Sequence, residues 1–212
     1  MLVSGSILSD KVSTKDAVKC MENANVDYLH IDVMDGKFVK NKSYTIKEVV
    51  DLTKYTNKQL DIHLMVKNPL KYIDAFSMLN TAYITFHYEA VKNPDEIINN
   101  IKNNGIKVGL SIKPETNVNE IEKYLNKVDL ILVMSVEPGR SGQSFMDSVI
   151  YKTEILKKLR DEKKYNFIIN IDGGINSESF LKIKDNVDMV VSASYLLSGN
   201  AREKVESFKK CN

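Results

Sequence analysis

Three stretches of the sequence carry side chains suited to chemistry rather than to packing. His30-Ile31-Asp32-Val33-Met34-Asp35-Gly36 reads as a strand, yet one of its faces holds an imidazole and a carboxylate. Burying a lone carboxylate is costly unless it is paired, protonated or bound to a cation. Leu60-Asp61-Ile62-His63-Leu64-Met65 repeats the pattern, and a third run, Phe167 to Gly173, reaches Asp172 at its end. Side chains alternate faces along a strand, so His30, Asp32 and Met34 share one face, and His63 and Met65 share a face on the next strand. Ile31, Val33, Ile62 and Leu64 then point the other way, against helices. His30, Asp32, His63 and Asp172 together make a donor set for one divalent cation. Imidazole suits zinc, iron(II), manganese or cobalt, and carboxylates broaden that choice. Taken singly, each residue reads better as a satisfied core histidine or a local cap; their joint placement at strand ends favours a site. Ser6, near the end of the first strand, and His87, at the end of the fourth, add polar groups to the same mouth, with His87 not assigned to the cation. Asp61 lies two residues below His63. It either accepts an N–H from a nearby imidazole or bonds backbone at the start of its strand.

Glycine-rich turns follow three later strands: Pro138-Gly139-Arg140-Ser141-Gly142, Asp172-Gly173-Gly174 and Ser192-Ala193-Ser194. Exposed backbone N–H groups beside a helix start bind anions. One such turn is only a turn; three that would be neighbours predict a phosphorylated substrate.

The elements that must position these residues alternate regularly. Strand-like runs Leu2–Leu8, DYLHIDV, LDIHLMV, YITFHYE, KVGLSI, VDLILVMSV, FIINIDG and VDMVVSA are each followed by a helix-like run. Among the helices are PLKYIDAFSML, with Pro69 in its first turn, NVNEIEKYL, and a long one around SVIYKTEILKKLRDEKK. Eight strand-then-helix units imply parallel strands with helical crossovers, and eight in one domain close into an α/β fold of the (β/α)8 TIM barrel type. At 212 residues, roughly 26 per unit, the loops must be short and residues 1–212 form one domain. An open doubly wound sheet is disfavoured because no G-x-G-x-x-G follows the first strand. Barrel chemistry sits at the C-terminal strand ends, where these polar residues fall.

Composition narrows the partners. Thirty Lys+Arg against 28 Asp+Glu leave a net charge of +2, too balanced to point to nucleic acid or membrane partners. The lysines of KTEILKKLRDEKK read as a solvated helix face. No apolar run spans a bilayer, and MLVSGSILSDK lacks the features of a secretory signal. Cys20 and Cys211, the only cysteines, read as free thiols, and a cytoplasmic location is expected. A homo-oligomer is expected as well.

The ordered segments SILS, HIDVMDG-x-FV, IHLMV-x-NP, ITFHYEA, VMSVEPG-x-x-GQSF and IDGGIN, spanning Ser6 to Ser194, resemble those of ribulose-phosphate 3-epimerases. The resemblance implies interconversion of D-ribulose 5-phosphate and D-xylulose 5-phosphate. It implies Asp32 as proton acceptor, Asp172 as proton donor, and His30, Asp32, His63 and Asp172 as ligands of one divalent metal. Ser6 and His63 match substrate contacts; Gly139, Arg140, Ser141, Gly142, Gly173, Gly174, Ala193 and Ser194 fall in the phosphate grip; Met34, Met65 and Met134 line the reacting carbons. The chain departs from the family at Gly5 and Lys40, where proline is usual, at Arg140-Ser141, where Phe-Gly is usual, and at Ala193, where glycine is usual. If Ala193 must adopt a positive φ, its backbone will bind differently. Two readings compete. One is a 3-epimerase of a hexulose phosphate such as allulose 6-phosphate; the other is a non-catalytic sugar-phosphate-binding barrel. A metal-dependent sugar-phosphate aldolase or decarboxylase is disfavoured, because it would want D-x-K where the sequence has Asp32-Val33-Met34.

Overall fold

The alternation closes on itself in the computed structural model, which describes residues 1–210. Strands β1 (Leu2–Ser6), β2 (Tyr28–Met34), β3 (Leu60–Met65), β4 (Thr81–His87), β5 (Lys107–Ile112), β6 (Leu130–Met134), β7 (Ile168–Asp172) and β8 (Met189–Ser192) form a closed barrel in sequence order. All neighbours pair in parallel, including β8 with β1. Between and after them run α1 (Thr14–Ala24), α2 (Ile46–Leu52), α3 (Leu70–Ser77), α4 (Pro94–Asn103), α5 (Val118–Ile121), α6 (Ile150–Lys163), α7 (Ser177–Ile183) and α8 (Ala201–Lys210). The eight expected units are all present.

Local chemistry sets the helix starts. Ser13 accepts from the Asp16 N–H at the head of α1, and Thr45 with Glu48 forms a reciprocal capping box at α2. Pro69 sits one position earlier than expected, as the capping residue of α3. NVNEIEKYL, expected as one helix, divides into the four residues of α5 and a 3-10 turn over Glu122–Tyr124. Its buried side chains are Val118, Ile121, Tyr124 and Leu125. β4 starts at Thr81, two residues before the expected strand, because Leu60 pairs with Thr81 ahead of an irregularity in the ladder.

The strands face two different environments. Outward, Ile31, Val33, Ile62 and Leu64 are fully buried in the apolar layer between sheet and helices. Inside the barrel an apolar group built on Tyr83, Leu130, Leu132, Met134, Met189 and Val191 shares the lumen with buried Ser4, His30, Asp61, His63 and Thr85. One surface expectation fails. Lys152, the first lysine of KTEILKKLRDEKK, is fully buried rather than solvated. It lies at the start of α6, where its ammonium reaches three carbonyls of the loop after β5. Cys20 is a half-buried thiol on α1, and Cys211 lies outside the described residues. No described helix is long and apolar enough to cross a membrane.

Candidate active site

Register brings the chemistry together. Asp32 pairs with His63 and Met34 with Met65 across β2 and β3, while Met134 pairs with Asp172 across β6 and β7. These side chains rise to the C-terminal end of the barrel. One ligand atom from each of His30, Asp32, His63 and Asp172 lies within 4.8 Å of the other three. Asp32 Oδ1 is 3.3 Å from His30 Nε2 and 3.1 Å from His63 Nδ1. Asp172 Oδ2 is 3.9 Å from His30 Nε2 and 3.8 Å from His63 Nδ1. Tetrahedral bonds of about 2.0–2.2 Å put neighbouring donor atoms roughly 3.3–3.6 Å apart; the Asp32 contacts fall close to that spacing and the Asp172 contacts lie slightly beyond it.

A second observation agrees. His30 Nε2 is buried and has no hydrogen-bond partner. Its other nitrogen, Nδ1, is 2.8 Å from Asp61 Oδ2, and Ser4 Oγ donates to the same oxygen at 2.8 Å. Asp61 therefore accepts the His30 Nδ1–H and leaves Nε2 turned into the cluster, where a bound cation would displace its proton and take the lone pair. Of the two readings of Asp61, the imidazole partner is the one the fold adopts. Ser4, which no sequence signal singled out, completes this support.

The charges are unevenly held. Burial alone would lower the His30 pKa, but the Asp61 and Asp32 carboxylates outweigh it and raise it well above the usual range. Burial would raise the Asp32 pKa, but His30 and His63 outweigh it and hold Asp32 ionised. Ser6 Oγ donates to Asp32 Oδ2 at 2.9 Å. Asp172 moves the opposite way: burial and the nearby Asp32 charge push its pKa up. Two carboxylates of one cluster thus differ in proton affinity, the arrangement that separates a base from an acid. Burial lowers the His87 pKa to about 4, leaving it neutral near pH 7.

His30 and His63 form the closed floor, with no exposed surface, whereas Asp32 and Asp172 open onto a cavity. Ser6, Met34, Met65 and Met134 line that cavity, as do residues 139–142, Gly173, Gly174, Ala193 and Ser194. The predicted residues therefore meet at one place. Gly174 is a turn that no other residue fits: its φ is +63°, and a Cβ there would fall on the Phe145 backbone. Ala193 corrects an expectation. Asn25 and Lys164 are the only non-glycine residues with positive φ among those described, so alanine fits at 193 without strain. The β2–α2 loop, which lacks the usual proline, is fixed by other means. Asp35 bridges Lys42, and Asn41 Nδ2 donates to the Gly139 carbonyl at 2.9 Å.

Comparison with known proteins agrees with this geometry. Solved structures share the architecture at very low identity. A chain of Mycobacterium tuberculosis tryptophan synthase superposes with a TM-score of 0.71 at 8% identity, covering 98% of this chain and 90% of that one. The 3-keto-L-gulonate-6-phosphate decarboxylase of Vibrio cholerae gives 0.67 at 12%, covering 99% and 95%. Those likenesses speak to the fold alone. Curated relatives are much nearer. The ribulose-phosphate 3-epimerase of Methanocaldococcus jannaschii is 41% identical over 194 residues, 91% of this chain and 82% of the relative. That of Bacillus subtilis is 36% identical over 208 residues, 97% and 96% respectively. That of Treponema pallidum is 36% identical over 199 residues, 93% and 91%. The family described as the ribulose-phosphate 3 epimerase family matches residues 2–197. With the barrel, the four-residue cluster and the relatives in agreement, this chain belongs to the ribulose-phosphate 3-epimerase family.

Proposed function

We propose that the chain, acting as one domain, interconverts D-ribulose 5-phosphate and D-xylulose 5-phosphate by inverting C3. The observation that carries this reading is the pair Asp32 and Asp172. They arise on strands far apart around the barrel, open onto one cavity and hold their protons with opposite tendencies. Inversion beside a carbonyl requires a proton to leave one face of the carbon and another to arrive on the opposite face. One carboxylate cannot serve both faces easily; two can. Asp32, held ionised, takes the C3 proton. Asp172, whose pKa burial and the Asp32 charge push up to about 6, delivers a proton to the other face. Turnover exchanges their protonation states, and the reverse reaction resets them. A positioned acid or base of this kind contributes about 10²–10⁴-fold in rate.

Loss of the C3 proton gives an enediolate whose negative charge grows on the C2 and C3 oxygens. His30, Asp32, His63 and Asp172 would hold one divalent cation, whether zinc, iron(II), manganese or cobalt, which when bound would supply Lewis-acid stabilisation of that charge. Ser6 fixes the Asp32 carboxylate by its hydrogen bond. Met34, Met65 and Met134 present polarisable surface to the delocalised intermediate and no proton that could quench it. The phosphate lies against the backbone N–H groups of residues 139–142, Gly173, Gly174, Ala193 and Ser194. Arg140 adds a charge-assisted contact.

The test is an epimerase assay with ribulose 5-phosphate and allulose 6-phosphate, with and without chelator. The expected result is turnover of the pentulose phosphate that chelator abolishes and added cation restores. A preference for allulose 6-phosphate would transfer the assignment to the hexulose substrate. Turnover of neither, with the cation site filled, would overturn the epimerase reading.

A further inference from the structure

The reaction leaves one buried titratable side chain of the barrel mouth unused: His87. It ends β4 and is fully buried, its ring 4.8 Å from that of Phe38 and 5.0 Å from that of His63. Its Nε2 lies 2.9 Å from His63 Nε2, and its Nδ1 lies 3.2 Å from Glu89 Oε2. Two ring nitrogens at that separation need one proton between them, and Glu89 decides which ring supplies it. The other Glu89 oxygen accepts from the Lys113 N–H at 2.8 Å and from Thr116 Oγ1 at 2.5 Å. Glu89 is thus held as an ionised acceptor. A carboxylate facing His87 Nδ1 takes an N–H from it. Neutral imidazole then has only a lone pair at Nε2, so His63 must donate its own Nε2–H. That leaves His63 Nδ1 bare, and Nδ1 is the nitrogen that faces Asp32 and Asp172.

We propose that His87 and Glu89 are positioning residues that hold His63 in its Nε2–H tautomer and so keep Nδ1 available as a cation ligand. The inference rests on reading the cluster as a cation site. It answers a conflict within that cluster. Asp32 Oδ1, 3.1 Å from His63 Nδ1, would favour a proton on that nitrogen, the tautomer that cannot ligate. The pull from His87 and Glu89 opposes it. The buried Lys152 anchors the far end: its ammonium donates to the carbonyls of Lys113, Pro114 and Thr116 at 3.0, 2.6 and 2.6 Å. It thereby fixes the turn that grips Glu89. His30 and Asp61 solve the same problem with a single acceptor; His63 needs two residues because its neighbour is itself an imidazole.

The experiment uses the full chain, stripped and reloaded with zinc, whose filled shell leaves nitrogen-15 histidine spectra readable. The expected spectrum shows His63 protonated at Nε2 and bound through Nδ1. His87→Phe keeps the ring packing and removes the acceptor; by calorimetry it should bind zinc about 10–100-fold more weakly with its circular dichroism unchanged. His87→Gln, whose amide oxygen can accept, should recover most of that loss. His63 bound through Nε2, or His87→Phe binding zinc as tightly as wild type, would overturn the tautomer assignment while leaving the cation site standing. Wild-type protein that binds no zinc would overturn the cation reading and this one with it. The wild-type spectrum decides the tautomer even where a variant fails to fold.

Discussion

The two faces of β2 and β3 make the instructive comparison. Their odd and even residues are neighbours in sequence, equally buried and set on the same backbone. Ile31, Val33, Ile62 and Leu64 enter an apolar layer where any close-packed hydrocarbon of the right volume would serve. His30, Asp32, Asp61 and His63 enter a polar lumen where each atom needs a specified partner. Stability thus comes mainly from one face and chemistry from the other, and a barrel permits this because the period of two separates them completely.

Substitutions on the two faces should separate accordingly. The largest effect belongs to the lumen: Asp32→Asn or Asp172→Asn should lower turnover at least ~10²–10⁴-fold while circular dichroism shows the barrel still folded. A parallel collapse of folding would erase the division between faces. Next comes the outer layer. Ile62→Ala should lose about 2–5 kcal/mol of stability in a denaturant titration and keep its turnover per folded molecule. Loss of turnover in folded Ile62→Ala would show that the faces are coupled.

A smaller effect comes from pH. Because burial and the Asp32 charge raise the Asp172 pKa above its unfolded value, the folded state binds that proton more tightly than the unfolded state does. Its contribution is complete at low pH and is lost as pH rises from about 4 towards neutrality. Cation-free wild type should therefore lose on the order of 1–2 kcal/mol relative to Asp172→Asn across that window. Parallel stability curves for the two proteins would contradict it. The smallest effect lies outside both faces. Arg140→Ala should raise KM for the phosphorylated substrate up to about tenfold, as loss of one charge-assisted contact would, with kcat unchanged. A fall in kcat at constant KM would remove Arg140 from the phosphate grip.

Much of the site was legible because it is written in short-range pattern. A histidine and an aspartate two residues apart on a β-branched run must share a face, and eight alternating units must bring strand ends to one mouth. The supports were not legible. Glu89 looks like any loop acid, and Lys152 opens a run whose other lysines suit solvent. Their roles depend on a turn after β5 meeting the start of α6, a contact between residues separated by 36 to 39 positions.

The sequence alone determined the strand faces, the barrel order and the four residues able to hold a cation, because periodicity and residue type are local properties. Only the tertiary structure decided which nitrogen of each histidine faces that site, which aspartate favours its proton and why a lysine is buried. Those outcomes depend on the distances between charges and donors brought together from distant parts of the chain, and electrostatic interactions vary too steeply with distance and burial to be read from spacing.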